Sequence, residues 1–96
     1  MMAKQQYRSE MGILSDILSV IADSGRNGVI ISTISRVANV SYNSINEKCQ
    51  KLVDANIVRS IKGDRGCTFF ITDDGVTFLE QMRKFTDVIK SMNIRY

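Results

Sequence analysis

Apolar side chains recur at helical spacing near the start of the chain. The positions that follow an i, i+3, i+4, i+7 pattern, and so share one face of a helix, are Leu14, Ile17, Leu18 and Ile21. Ser9 can cap this helix and Gly25 can end it, because serine accepts hydrogen bonds from free backbone N–H groups and glycine favours helix ends. The pattern predicts a first helix from Ser9 to about Ser24, after a flexible polar arm at residues 1–8.

A brief strand and a second helix are predicted next. Residues 26–28 are typical of a turn, and the β-branched residues 29–31 indicate a short strand. Ser32 can then cap a helix that runs through Ala38. The positions expected to point inward from this helix are Ile34, Val37 and Ala38.

A third, longer helix follows a turn at residues 39–41. Ser41 can cap it, and the preceding Val40 can pack against Ile45 as a hydrophobic staple. Asn56 suits a left-handed position at its end. The inward positions are Ile45, Cys49, Leu52 and Val53. The outward positions, which form a polar face with one aromatic ring, are Tyr42, Asn43, Asn46, Glu47 and Gln50.

A hairpin and a final helix complete the pattern. Residues 57–61 and 67–71 are rich in β-branched and aromatic side chains, and residues 62–66 between them include two glycines, which is typical of a hairpin loop. Thr72 can cap a last helix over residues 73–95.

The last helix carries an apolar heptad pattern. Its a and d positions, spaced 4, 3, 4, 3, 4, are Phe78, Met82, Phe85, Ile89, Met92 and Tyr96. At 1.5 Å per residue the helix would be about 36 Å long, which is more than one small domain can cover. We therefore expect Val76 and Leu79 to face the chain's own domain and the distal half to pair with a second copy. The alternative is that the helix folds back on its own domain.

The order of these elements predicts a mainly α fold of the α+β class, a winged helix-turn-helix with a long C-terminal dimerisation helix. Three parts are expected. Residues 1–8 form the flexible arm, residues 9–72 the winged helix-turn-helix, and residues 73–96 a coiled-coil dimerisation helix. A winged helix is most often a DNA-binding module, so double-stranded DNA and a second copy of the chain are the expected partners.

Composition supports this picture mainly through the distribution of charge. The chain of 96 residues is 44% apolar and 24% charged, as expected of one small globular domain, and its net charge of +3 is mild. Residues 11–25 carry two acids and no bases, residues 26–65 carry seven bases against three acids, and residues 66–96 carry four of each. The surplus of positive charge lies on the predicted helix-turn-helix and hairpin, which favours a nucleic-acid partner.

Other classes of function find little support in the sequence. There is no histidine, and Cys49 and Cys67 lack metal-ligand spacing, so a zinc site is not expected and both thiols should be free. No phosphate loop, nucleophile elbow or paired-carboxylate motif is present. Apolar runs are far shorter than a membrane span. We expect a cytoplasmic, nucleoid-associated protein that is not an enzyme and has no cofactor, small-molecule substrate or membrane partner.

The candidate DNA contacts lie on the third helix and the hairpin, or wing. In a helix-turn-helix the amino-terminal residues of the second helix of the pair approach base edges, and a basic wing can reach the backbone or minor groove. The candidate residues are Arg36, Ser41, Tyr42, Asn43, Ser44, Asn46, Lys48, Lys51, Arg59, Lys62 and Arg65. The third helix has no arginine, which favours phosphate contacts over strict base reading. The alternatives are a solvated helix face and an ordinary polar hairpin tip.

With these elements in place, the chain resembles the small archaeal winged-helix chromatin proteins, a ten-kilodalton DNA-binding family of Sulfolobus-type organisms. The matching stretches are residues 8–10 (RSE), 13–18 (ILSDIL), 38–42 (ANVSY), 51–58 (KLVDANIV), 70–75 (FITDDG) and 78–79 (FL). The resemblance implies a homodimer joined by an antiparallel coiled coil of the last helices. It also implies weakly selective DNA binding through residues 41–51 and 59–65. The third helix is less basic here than in that family.

The sequence thus favours a non-enzymatic, dimeric DNA-binding protein that bends, bridges or coats chromosomal DNA and affects transcription. Two alternatives stay open. One is a regulator that reads a specific operator, and the other is a winged helix used as a protein-interaction module.

Overall fold

Four α-helices and three short strands make up the part of the chain that the computed structural model describes, residues 9–64 and 66–92. The helices are α1 (Glu10–Asp23), α2 (Ile31–Ala38), α3 (Tyr42–Asp54) and α4 (Asp73–Ser91). The strands are β1 (Val29–Ile30), β2 (Val58–Gly63) and β3 (Gly66–Ile71), and a 3-10 turn at Gly25–Asn27 follows α1. This mainly helical winged helix-turn-helix is the predicted fold. The predicted arm, Arg65 and Tyr96 lie outside the described residues.

Three helices begin with the caps that the sequence predicts. The hydroxyl oxygens of Ser9, Ser41 and Thr72 accept hydrogen bonds from backbone N–H groups three residues later, at 2.9, 3.3 and 2.9 Å. These bonds satisfy donors that the first turn of a helix otherwise leaves free. The left-handed conformation predicted for Asn56 is also present, with φ of 63°.

The second helix begins earlier than the sequence predicts, and Ser32 does not cap it. Ile30 is extended, pairs with Thr68 in the sheet, and is itself the residue before the helix, which starts at Ile31 without a side-chain cap. The strand therefore runs directly into the helix. Ser32 already lies in the first turn, where its backbone is helical and cannot take the extended conformation of a cap.

The sheet is antiparallel, with β3 between β1 and β2. The predicted five-residue loop is too long, because Lys62 pairs with Cys67 and Gly63 with Gly66. Only two residues separate the paired strands. The two glycines thus extend the ladder, and Gly66 takes a φ of 109° that other residues rarely adopt.

One hydrophobic core joins all four helices to the sheet. Its buried side chains are Ile17, Leu18, Ile21, Val29, Ile34, Ala38, Ile45, Cys49, Leu52, Val58, Phe69, Leu79 and Met82. Two predicted inward positions are wrong, because Val37 is 57% exposed and Val76 is 43% exposed. On each helix a pair spaced four apart occupies the inward line (Ile34 with Ala38, and Gly75 with Leu79), which turns Val37 and Val76 about a quarter-turn away.

Both cysteines are free thiols, as predicted. Cys49 on α3 is 1% exposed, and burial raises the pKa of its thiol to about 11. Cys67 on β3 is half-buried. Cys49 is therefore an uncharged packing residue at neutral pH.

The start of α4 is fastened to the segment between α3 and β2. The Thr72 hydroxyl donates to the carbonyl oxygens of Asn56 and Ile57 at 2.7 and 3.0 Å, and the Thr72 backbone N–H donates to Ile57 at 3.1 Å. The Asn56 amide donates to the Asp74 carboxylate at 3.2 Å. These bonds hold the first turn of α4 directly against the base of the wing.

We expect Gly75→Ala to lower the free energy of unfolding by about 2–3 kcal/mol, through overpacking at this junction. An added Cβ would meet the Ile57 carbonyl oxygen and lie 2.7 Å from Ile71 Cγ1. Urea unfolding measures the effect. The matched control is Gly12→Ala in α1, where the nearest atom is the Ser9 hydroxyl oxygen at 3.1 Å and a change below about 1 kcal/mol is expected. Equal losses in both variants would contradict the packing argument.

Candidate nucleic-acid interface

The outward face of α3 is polar and open to solvent. Its five predicted outward residues are all exposed: Tyr42, Asn43, Asn46, Glu47 and Gln50. The face opposite is anchored in the core by Ile45, Cys49 and Leu52, so the helix cannot roll without exposing them. The amide side chains at positions 43 and 46 lie in the first half of the helix, which is the part of a recognition helix that contacts base edges in the major groove.

The turn before α3 fixes the angle at which the helix is presented. Asn39 ends α2 in the left-handed conformation, with φ of 57°. The Ser35 hydroxyl donates to the Val40 carbonyl at 2.6 Å, which ties the turn back to α2. Ser41 then caps α3, and Ser44, which donates its N–H to that cap, is half-buried. Ser41 and Ser44 therefore position the helix. The amide side chains of Asn43 and Asn46 supply exposed hydrogen-bond donors and acceptors.

The lysines of α3 are engaged by a carboxylate from another helix. Lys51 Nζ lies 2.8 Å from Glu10 Oε2, and Lys48 Nζ lies 3.8 Å from the same oxygen. Lys48 Nζ is also 3.9 Å from Glu47, and the Lys48 side chain is only 14% exposed. The hydrogen bond and charge of Lys51 lower the pKa of Glu10 below its usual value, and Glu10 in turn raises the pKa of Lys51. Glu10 and Lys51 are therefore both ionised at neutral pH.

Sequence reasoning missed Glu10 as a participant at this surface. It lies 41 positions before Lys51, and no periodicity or spacing links two charges so far apart in the chain. The one local signal was its place directly after the Ser9 cap, where the helix dipole favours an acid. That signal predicts an ionised carboxylate but not its partner.

The wing presents basic side chains on both of its faces. Arg59 and Lys62 are exposed and point to opposite sides of β2, because side chains alternate along a strand. The Arg59 guanidinium lies over the Phe70 ring, 5.9 Å from its centroid. Lys62 is on the same face of the sheet as the buried Phe69, and so on the side toward α3. Arg65 lies outside the described residues.

A groove of about 330 Å³ separates α3 from the wing. Asn46 and Gln50 form its wall on the α3 side, Ser60 forms its wall on β2, and its floor is apolar. Of the predicted contact residues, Asn46 lines this groove and Lys62 lies on the groove-facing side of the wing, whereas Arg59 lies on the other face of the wing. Lys48 and Lys51 lie on the side of α3 that is turned toward α1. Arg36 is exposed in the last turn of α2, on the neighbouring helix.

The described residues hold no group of three or more metal-binding side chains of the histidine, cysteine, aspartate or glutamate type. Across residues 9–64 and 66–92, no helix is long and apolar enough to span a membrane.

Solved structures with the same arrangement include DNA-binding proteins. Sso10a-2, a DNA-binding protein from Sulfolobus solfataricus, superposes with a TM-score of 0.77 at 17% identity, over 90% of this chain and 86% of that one. MepR from S. aureus, solved in a complex with DNA, superposes with a TM-score of 0.69 at 11% identity, over 95% of this chain and 74% of that one. At such low identities these likenesses describe the fold.

A more similar sequence belongs to a much larger protein. The protein translocase subunit SecA of Wolbachia pipientis wMel is 29% identical over 85 residues, which is 88% of this chain but only 9% of that protein. The likeness is therefore confined to one small part of SecA. A family profile identifies the fold family directly: the chain belongs to the winged helix-turn-helix family, whose profile matches residues 7–90.

Proposed function

We propose that this winged helix binds double-stranded DNA without catalysing a reaction, that it does so with weak sequence selectivity as a homodimer, and that it organises DNA by bending, bridging or coating it. The observation that carries the proposal is the exposed polar face of α3, presented beside the basic wing across one groove. Such a surface matches the way a helix-turn-helix docks, with α3 in the major groove and the wing along the backbone. Binding of this kind would place the protein at the nucleoid.

Weak selectivity follows from the side chains that this surface offers. Asn43 and Asn46 can hydrogen-bond either bases or phosphates, whereas α3 carries no arginine to read guanine in a bidentate manner. The exposed basic side chains Arg36, Arg59 and Lys62 lie outside α3. Phosphate contacts from such residues fix position on the duplex without reading its sequence, and the release of counterions makes the binding depend strongly on salt.

The dimer proposal is supported by an apolar stripe on α4. Phe85, Val88 and Met92 are 55%, 53% and 59% exposed, and their i, i+3, i+7 spacing places them on one side of the helix. By contrast Met82 is buried in the chain's own core and Phe78 packs against it. Ile89 is half-buried. The exposed stripe is thus distinct from the core-facing side, and a second copy of α4 is the partner that we propose to cover it.

The burial pattern along α4 also supports a division of the chain into three parts. We propose a head that comprises residues 9–72 and a dimerisation helix over residues 73–96, with residues 1–8 as an arm. Gly75, Leu79 and Met82 are buried against the rest of the fold, so the first half of α4 packs against the head. The half beyond Met82 carries the exposed stripe, and it is the part that we propose bridges two heads.

Fluorescence anisotropy with several unrelated duplexes across a salt series tests the function. We expect similar affinities for all duplexes, falling steeply as salt rises. One duplex bound far more tightly than the others would favour the second candidate, a sequence-specific transcriptional regulator. Absence of binding to every duplex at low salt would contradict DNA binding and leave the protein-interaction module.

A further inference from the structure

We propose that Glu10 competes with DNA phosphate for Lys51, so that the first residue of α1 sets the affinity and salt dependence of the α3 surface. This inference rests on the DNA-binding function proposed above. Glu10 was not among the candidate contact residues, and its effect is to oppose binding rather than to supply it.

The geometry places the carboxylate where a phosphate would have to go. Ser44, Lys48 and Lys51 follow an i, i+4, i+7 spacing, so they line one side of α3, the side turned toward the start of α1. Glu10 is held at that point because Ser9 caps α1 immediately before it. The carboxylate reaches Lys51 at 2.8 Å, which is the distance at which a phosphate oxygen would bind the same amine, and it lies 3.8 Å from the amine of Lys48.

The local charge shows why this one residue matters. The four charged groups joined in this cluster, Glu10, Glu47, Lys48 and Lys51, cancel one another. A phosphate approaching α3 therefore meets no net positive charge at the two lysines. Removal of the Glu10 charge gives the cluster a net positive charge and leaves Lys51 without its carboxylate partner.

The two lysines differ in how readily they can change partners. The Lys51 and Glu10 side chains are each 53% exposed, so water and ions reach the pair and its exchange for a phosphate requires little rearrangement. Lys48 is only 14% exposed and lies between Glu10 and Glu47. Lys51 is therefore the lysine that can exchange Glu10 for a DNA phosphate. Lys48 is expected to stay paired with Glu10 and Glu47.

The first test compares Glu10→Gln with the unmodified full chain by fluorescence anisotropy, using one random-sequence duplex of about 20 base pairs across a salt series. We expect Glu10→Gln to bind about threefold to tenfold more tightly at low salt, with a log–log salt slope steeper by about one for each lysine released. The matched control is Asp23→Asn, which removes one carboxylate from the other end of α1. It should change the affinity by less than about twofold, because that charge lies roughly 20 Å along the helix axis from Glu10.

A double-mutant cycle that combines Glu10→Gln with Lys51→Gln tests whether Lys51 is the lysine that binds the phosphate when Glu10 is neutralised. In the unmodified chain Lys51→Gln should weaken binding only modestly, because Lys51 is already paired with Glu10, whereas in the Glu10→Gln background it should remove the whole gain in affinity. The same cycle with Lys48→Gln should leave most of the gain in place. Thermal unfolding of each variant by circular dichroism verifies that the heads remain folded.

The outcomes separate this inference from the function on which it rests. If the unmodified chain binds DNA and Glu10→Gln binds no more tightly at any salt concentration, the competition is wrong and the DNA-binding function stands. An equal loss from Lys51→Gln in both backgrounds would also overturn it, because Lys51 would then contact DNA despite Glu10. If neither protein binds any duplex, both the function and the inference fail.

Discussion

Replacement of both Phe85 and Val88 with glutamate should convert the protein from dimer to monomer while the head remains folded. These side chains are more than half exposed on α4, so the substitution leaves the core of one chain intact. In a dimer across this stripe the same change would bury four carboxylates without partners, and unpaired buried charges are strongly unfavourable. We expect the dissociation constant of the dimer to rise more than about a hundredfold, a change of roughly 3 kcal/mol.

Sedimentation equilibrium measures the change in assembly, and circular dichroism reports whether the head is folded. The matched control is Phe85→Leu with Val88→Ile, which alters shape at the same two positions but keeps them apolar. That variant should remain dimeric. Dimers that persist in the glutamate variant would show that α4 does not form the interface, and a monomeric unmodified chain would contradict the homodimer itself.

Replacement of Arg59 and Lys62 with alanine should weaken binding to all duplexes to a similar degree. The two side chains lie on opposite faces of the wing, so together they can contact backbone on both sides of it. We expect affinity to fall by about tenfold to a hundredfold near 0.1 M salt, and the magnitude of the salt slope to fall by about two per head.

The matched control for the wing is Lys84→Ala with Lys90→Ala. It removes the same charge from exposed positions on α4, and its effect on affinity should be less than about threefold. Because Arg59 lies over the Phe70 ring, Arg59→Lys serves as a second variant that keeps the charge and alters the stacking. A loss confined to one duplex would favour an operator-reading regulator. Unchanged binding to every duplex would remove the wing from the interface.

Local signals in the sequence predicted the parts of the fold that depend on neighbouring residues. The caps at Ser9, Ser41 and Thr72 need only a hydroxyl and a backbone N–H three residues later, and all three form. The left-handed Asn56 depends on its own backbone preference. The core faces of α1 and α3 follow from periodicity alone, because these helices are long enough to give a clear pattern.

The predictions that failed depend on tertiary context. Val37 lies on a helix of only eight residues, and so short an apolar pattern leaves its inward direction ambiguous until α1 and α3 are in place. Ser32 had a good capping side chain, but the pairing of Ile30 with Thr68 decided where the helix begins. The ion pair between Glu10 and Lys51 joins residues that only the packing of α1 against α3 brings together. The exposure of the polar face of α3 was thus predicted more readily than the ion pairs that engage the lysines of this helix.

The fastening of Thr72 to Asn56 and Ile57 has a mechanical consequence for a dimer. Three hydrogen bonds join Thr72 to Asn56 and Ile57, and Gly75 packs closely against the Ile57 carbonyl. The end of α3, the start of β2 and the start of α4 are therefore tightly packed together. We expect this junction to resist bending, so that α4 would act as a rigid arm attached to the surface that we propose faces DNA. In the proposed dimer, the crossing angle of the two arms would set both the distance and the relative twist of the two DNA contacts. Torque on one bound duplex would then pass directly to the other head.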